Sequence, residues 1–169
     1  MADGFPQKRL AVDSNVLFDL AGGEGFAEDF RKTFLGKGYS LEAPPTVVLE
    51  LTHFFRKGDA RERELARIAL TSMLGRWKIS PISLSSVQRA YTQNFVKFVQ
   101  ADKVLPAREN NDAEILAETS LAGIAVLVTS DATLLDADPV GLALAFEKAG
   151  LAPVAPAHPR RLVRGVRTC

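Results

Sequence analysis

Four acidic residues stand where chemistry is delivered in chains of this pattern. Asp13 follows the apolar run Leu10, Ala11 and Val12, and Asp131 closes Thr129-Ser130-Asp131 after the apolar run 124–128. Asp112 opens a segment in which Ile115, Leu116, Ala117 and Leu121 recur at helical spacing. Glu50 lies on the flank of the stripe Val47, Val48, Leu51, Phe54 and Phe55. Singly, each acid has structural work available: Asp13 and Asp131 as helix caps, Asp112 against a helix dipole, Glu50 as a solvated flank residue. Gathered together they would do something else. Two carboxylates ~6 Å apart repel by ~3 kcal/mol at an effective dielectric of ~20, and several such pairs outweigh any cap. A divalent cation resolves the conflict, and carboxylate, hydroxyl and water oxygens suit Mg²⁺ or Mn²⁺. Such a centre typically works on phosphates, polarising a phosphoryl oxygen and activating water.

The elements that must position these acids alternate between strand and helix. Residues 10–12 read as a buried strand, and Ser14 and Asn15 are capping types for the helix that Val16, Leu17 and Leu20 announce. Phe26, Phe30 and Phe34 mark an amphipathic helix over 24–35, ended by Gly36 and Gly38. A short strand is expected at 39–43, and Pro44-Pro45-Thr46 starts the helix carrying Glu50. A charged helix over 60–74 turns Leu65, Ile68, Ala69 and Met73 inward. A strand over 77–82 is held to an edge by Pro81. Ser85 or Ser86 caps the next helix, whose buried face reads Val87, Tyr91, Phe95, Phe98 and Val99. Residues 106–110 are a polar connection, and Asn111 with Glu114 fits a capping box. Residues 124–128 are the cleanest strand. A helix over 140–149 stops at Gly150, and 151–155 is expected as a last edge strand. This alternation predicts an α/β fold, a three-layer α/β/α sandwich around a mostly parallel sheet. Both strand-end acids then fall on one edge of that sheet. So does Asp112, whose helix must run back across the sheet before the second of those strands.

Composition limits the alternatives. The 169 residues carry 21 basic and 20 acidic side chains, a net charge of +1 that argues neither for nor against nucleic acid, and 47% are hydrophobic, enough for one core. One cysteine, Cys169, excludes an internal disulfide framework and makes a reducing cytoplasm the default. His53 and His158 are far apart, which argues against zinc. No apolar run approaches the ~18 residues of a membrane span, and residues 1–10 lack the apolar region of a signal peptide. The expected organisation is a flexible lead over 1–8, one domain over 9–156 and a basic tail over 157–169 containing Arg160, Arg161, Arg164 and Arg167.

Four motifs in order, AVDSNVLFDL, PPTVVLEL, ENNDAEILAE and VLVTSDATLL, resemble the PIN-domain family of metal-dependent ribonucleases, which includes toxins of the VapC type. The resemblance spans about residues 9–154. It implies the three-layer fold, with Asp13, Asp112 and Asp131 as ligands to Mg²⁺ or Mn²⁺ and Glu50 as a direct or water-mediated ligand and general base. It implies support from Ser14, Asn15 and the hydroxyl neighbours Thr129 and Ser130. It further implies endonucleolytic cleavage of single-stranded RNA by activated water, frequent homodimers and, for toxin members, a small antitoxin partner. Asp136, Asp138 and the basic tail find no place in it.

Two other classes stay open on the residues. One is a PIN-like module that binds RNA or protein without catalysis. The other is an Asp-nucleophile phosphatase, whose second acid two residues after Asp13 is replaced here by Asn15. His53 reads as an exposed or partly buried histidine, and Arg56, Lys57 and Arg108 as solvated surface ahead of a phosphate channel. The Arg160–Arg167 cluster suits an RNA backbone, an acidic partner or a disordered solubilising tail.

Overall fold

The computed structural model describes residues 8–106 and 110–168. The lead before Lys8, Arg108 and Cys169 lie outside the described residues. The elements, in chain order, are β1 (Arg9–Val12), α1 (Ser14–Ala21), α2 (Gly25–Gly36), β2 (Ser40–Ala43), α3 (Pro45–Lys57), α4 (Ala60–Ser72), β3 (Ile79–Pro81), α5 (Ser86–Ala101), α6 (Asn110–Leu121), β4 (Val126–Val128), α7 (Ala132–Leu135), α8 (Pro139–Ala149), β5 (Ala155–Ala157) and α9 (Pro159–Arg167). All four strand pairings are parallel, in the order β3-β2-β1-β4-β5. The expected α/β sandwich is therefore present, with β1 at its centre.

The strand order reverses beside β1. The chain steps outward from β1 to β2 and β3, then returns to lay β4 and β5 on the other side. In open parallel sheets the carboxyl ends beside such a reversal form the crevice where ligands bind. Asp13 closes β1 and Thr129 closes β4, and the Asp13 N–H donates to the Val128 carbonyl at 2.9 Å, so the two strand ends are tied together.

Local sequence explains most boundaries. Asp59 with Glu62 and Ser85 with Gln88 form reciprocal capping boxes at the starts of α4 and α5. Pro45 and Pro139 occupy the first turns of α3 and α8, where the missing N–H costs nothing. Gly150 adopts φ 70° to end α8, a conformation that disfavours any residue with a Cβ. Phe30 and Phe34 are buried, as the every-fourth-residue pattern requires.

Several expectations are corrected. Ser14 and Asn15 do not cap α1; Asp13 does, accepting from the Ser14 N–H. On α5 the buried face is Thr92, Phe95, Val96 and Val99. At ~100° per residue, Tyr91 falls to its border and Val87 beyond it, and they are 48% and 67% exposed. Phe55 keeps the stripe's direction but lies in the last turn of α3 and is 46% exposed. Asn111 lies inside α6, since the helix already includes Asn110. The strand before Thr129 is only β4, because the Ile124 N–H is spent on the Thr119 carbonyl closing α6. The last strand starts at Ala155, since the Leu151 N–H caps α8 through the Phe146 carbonyl. Asp138, unassigned in sequence, caps α8 through the Val140 and Gly141 N–H groups. Finally, the segment after Ala157 is α9, not a tail. It packs on α2 with Pro159 and Val163 buried, and Arg167 pairs with Asp29 at 2.7 Å.

Candidate functional site

Asp13 is 2% exposed, at the bottom of the crevice between β1 and β4. Its Oδ1 accepts from the Ser14 N–H at 2.7 Å and its Oδ2 from the Thr129 hydroxyl at 2.8 Å. Burial pushes its pKa up from 3.8 to about 6, against the Thr129 hydrogen bond, and the charges of Glu50 and Asp131 push it further the same way. Asp13 and Glu50 are linked through Ser14, and Asp13 and Asp131 through Thr129, so three of the four acids read from the sequence stand in one neighbourhood. The capping and ligand readings of Asp13 and Asp131 are not exclusive: Asp131 also caps α7 through the Thr133 N–H at 2.8 Å.

Glu50 is half-buried and arrives from the α3 side. Its Oε2 accepts from the Ser14 hydroxyl at 2.6 Å, and its Oε1 from the Asn111 side-chain amide at 3.1 Å. Asn111 therefore brings the first turn of α6 to the cluster, and Asp112 is buried in that same turn at 8% exposure. A pocket of about 310 Å³, lined by Thr46, Glu50, His53, Asn111 and Glu114 among others, opens beside Glu50. His53 stands exposed at this pocket, edge-on to Phe54, as its reading as a surface histidine requires.

Asn15, Thr129 and Ser130 fasten the two strand ends. The Asn15 carbonyl oxygen accepts from the Ser130 N–H at 3.1 Å, its amide donates to Thr129 Oγ1 at 3.2 Å, and the Asp131 N–H donates to the same oxygen at 3.0 Å. The Ser130 hydroxyl donates to Asp19 on α1 at 2.8 Å. These bonds fix the positions of Asp13 and Asp131 relative to each other without supplying a positive charge.

Sequence reasoning missed a second pair of acids behind Glu50. Glu118 is 7% exposed. It accepts from the Thr46 N–H at 3.0 Å and from the Thr46 hydroxyl at 2.7 Å, with Glu114 at 3.2 Å from the same hydroxyl. Pro44 gives α3 no side-chain cap, and Glu118 supplies one from α6 across the helix–helix seam. Burial raises the Glu118 pKa, opposed by both Thr46 hydrogen bonds. The only trace in the sequence is two acids four apart, Glu114 and Glu118, around the apolar run Ile115-Leu116-Ala117. Glu118→Ala leaves the Thr46 donors unsatisfied and is expected to cost about 1–2 kcal/mol in urea unfolding. Glu118→Gln keeps an acceptor oxygen and is expected to cost less than half of that.

The donor set fits a hard divalent cation in kind: carboxylates and hydroxyls, with no thiol or imidazole among them. Burial first, and then the charges of Glu50 and Asp131, make the Asp13 carboxylate costly to ionise, and a bound cation would relieve that cost. The side chains are not drawn around one point, and among the described residues no three His, Cys, Asp or Glu are grouped to hold an ion as they stand. Their oxygens face Ser14, Thr129, Asn111 and the Thr133 N–H instead.

Comparison with known proteins bears on the fold. No family model and no curated protein matches the sequence. Among solved structures, a chain of VapBC2 from Rickettsia felis, determined bound to a DNA fragment from its promoter, superposes with a TM-score of 0.61 at 14% identity. The superposition covers 89% of this chain and 98% of that one. The fold is PIN-like. At that identity the likeness concerns the fold, and the chemistry rests on this chain's own residues.

Proposed function

We propose that the chain is a Mg²⁺- or Mn²⁺-dependent endoribonuclease acting on single-stranded RNA. The observation that supports the reading is the gathering of Asp13, Glu50 and Asp131 around Ser14 and Thr129 at the strand reversal, with the Asp13 pKa raised to about 6 by burial first and by its neighbours' charge second. Asp13, Asp131 and Asp112 would hold the ion, with Glu50 at its edge. The chemistry supplied by a bound divalent cation is polarisation of the phosphoryl oxygen and activation of water. The residues do the rest. Thr129 and the Ser14 N–H orient Asp13. Asn15 locks the β4 end, which carries Asp131. Ser14 and Asn111 hold Glu50 at the mouth of its pocket, where its carboxylate can take a proton from attacking water. Water oxygen joins phosphorus as the P–O3′ bond breaks, leaving a 5′-phosphate and a 3′-hydroxyl. The likeness to a VapBC2 chain makes a small antitoxin-type protein the partner to seek, and a homodimer the assembly to test by sedimentation.

The test is cleavage of unstructured and structured RNA by wild type and Asp112→Asn, with Mn²⁺ and with chelator. Cleavage confined to wild type in Mn²⁺ and to unstructured RNA supports the reading; equal cleavage in chelator sinks it. Among the described residues no three potential ligands are ready-grouped, and that favours one rival, a non-catalytic PIN-like module. Thermal melting separates the two. Millimolar Mn²⁺ is expected to raise the wild-type Tm by several degrees, by mass action on the folded state, and to leave Asp13→Asn unmoved. A wild-type Tm indifferent to Mn²⁺ favours the rival.

A further inference from the structure

The arginines of α9, which the cleavage reading does not use, lie beside the site. The Thr129 N–H donates to the Ala157 carbonyl at 3.0 Å, so Ser130 and His158 are each the next residue past one hydrogen bond. With neighbouring strands ~4.8 Å apart, the two surfaces are close enough for adjoining nucleotides of one strand. The rings of His158 and Phe26 stack, with centroids 5.6 Å apart at 27°. The Arg160 guanidinium lies 4.8 Å from the centre of the Phe26 ring. Arg164, four residues on, shares that face of α9. Both arginines are exposed, and among the described residues neither has a carboxylate within ion-pair distance. His158 accepts from the Arg160 N–H through Nδ1 at 3.1 Å, which requires that nitrogen to be unprotonated. Burial, and then Arg160, hold the ring's pKa below its usual value against the pull of Asp19. The ring is thus a neutral stacking surface with cations at its rim.

We propose that Phe26, His158, Arg160 and Arg164 form a subsite for single-stranded RNA that flanks the scissile phosphate. A base stacks on the ring pair and the arginines hold its phosphates. This rests on the nuclease reading for its substrate. Stacking on aromatic rings together with arginine contacts is the sequence-tolerant way to bind single strands. Asp19 lies between the two surfaces with its carboxylate turned onto the Ser130 hydroxyl, so it defines the near edge of the subsite.

The test is fluorescence anisotropy of a labelled twelve-nucleotide oligouridylate on the full chain, in chelator so that nothing is cut. Arg160→Ala is expected to raise Kd about 5- to 10-fold and to reduce the salt slope by about 0.7. Phe26→Leu, which keeps the apolar packing but loses the ring face, is expected to raise Kd at least about 5-fold with the melt changed by only a few degrees. Arg161, which lines apolar cavities instead, is the control, and Arg161→Ala should bind like wild type. The subsite is overturned if wild type does not bind, if Arg160→Ala and Phe26→Leu bind like wild type, or if Arg161→Ala loses as much as Arg160→Ala. Cleavage in Mn²⁺ is scored separately. The expected binding pattern without cleavage keeps the subsite and rejects the nuclease. Cleavage with unaltered binding by the variants does the reverse.

Discussion

Asp13→Asn is expected to lower RNA cleavage in Mg²⁺ or Mn²⁺ by on the order of 10²-fold or more, while making the chelated protein harder to melt at pH 7.5. The two effects have one cause. Asp13 is buried, and burial first and the charges of nearby Glu50 and Asp131 second raise its pKa from 3.8 to about 6. A carboxylate with a raised folded-state pKa favours the fold below its unfolded value, and that contribution is lost as pH rises through about 6. Ionised Asp13 then weakens the chelated protein by about 3 kcal/mol at neutral pH. Asparagine removes the charge but must reverse one hydrogen bond, donating where Asp13 accepts from Thr129, so part of the gain is lost. A Tm rise of roughly 4–8 °C at pH 7.5 is expected for a chain of this size. At pH 4 wild-type Asp13 is already neutral in the fold and the gap should close. An Asp13→Asn chain that cleaves like wild type refutes the ligand role. One that melts no higher than wild type at pH 7.5 refutes the electrostatic cost. Sites that trade stability for function in this way are common among natural proteins.

How far this arrangement could be read from the chain depends on the physics of each part. Asp13 and Asp131 were legible because buried parallel strands leave unmistakable apolar runs and their ends share an edge. The parallel α/β sandwich followed from the same runs and the helical segments between them, and its PIN-like character from the resemblance of the four motifs. Glu118 left only a weak trace, because an acid beside an apolar run takes its role as a cap only once Pro44 and Thr46 are seen across the seam. The role of Asn111 was misread for a similar reason: cap chemistry is local, but its amide answers Glu50, 61 residues away. Val87 and Tyr91 continued an apolar pattern that tertiary packing did not use. Strand limits at 124–128 and 151–155 slipped because helix-closing hydrogen bonds from Ile124 and Leu151 compete with the ladder for the same N–H groups.

The misreading with the largest consequence concerns the C-terminal segment. Four arginines in eight residues hide an apolar stripe, and a solvated tail would be dispensable. In the structure Val163 is 4% exposed, Pro159 is buried, and Leu162 and Val166 pack on the core beside them. Full burial of one Val or Leu side chain typically contributes about 1.5–3 kcal/mol, so α9 contributes several kcal/mol to a domain whose whole stability is typically about 5–15 kcal/mol. Its loss also bares Phe26 and part of the α2 face. A chain ending at Ala157 is therefore expected to melt at least about 10 °C lower or to aggregate. Val163→Ala, a gentler change, is expected to cost roughly 1–3 kcal/mol in urea unfolding. A truncated chain that melts within about 2 °C of full length would restore the tail. Because β5 and the start of α9 also border Thr129, partial unfolding there should loosen the β4 end that carries Asp131. Mn²⁺ should then raise the Tm of the Val163→Ala protein less than it raises that of wild type. Equal shifts in the two proteins would show that α9 serves the fold alone.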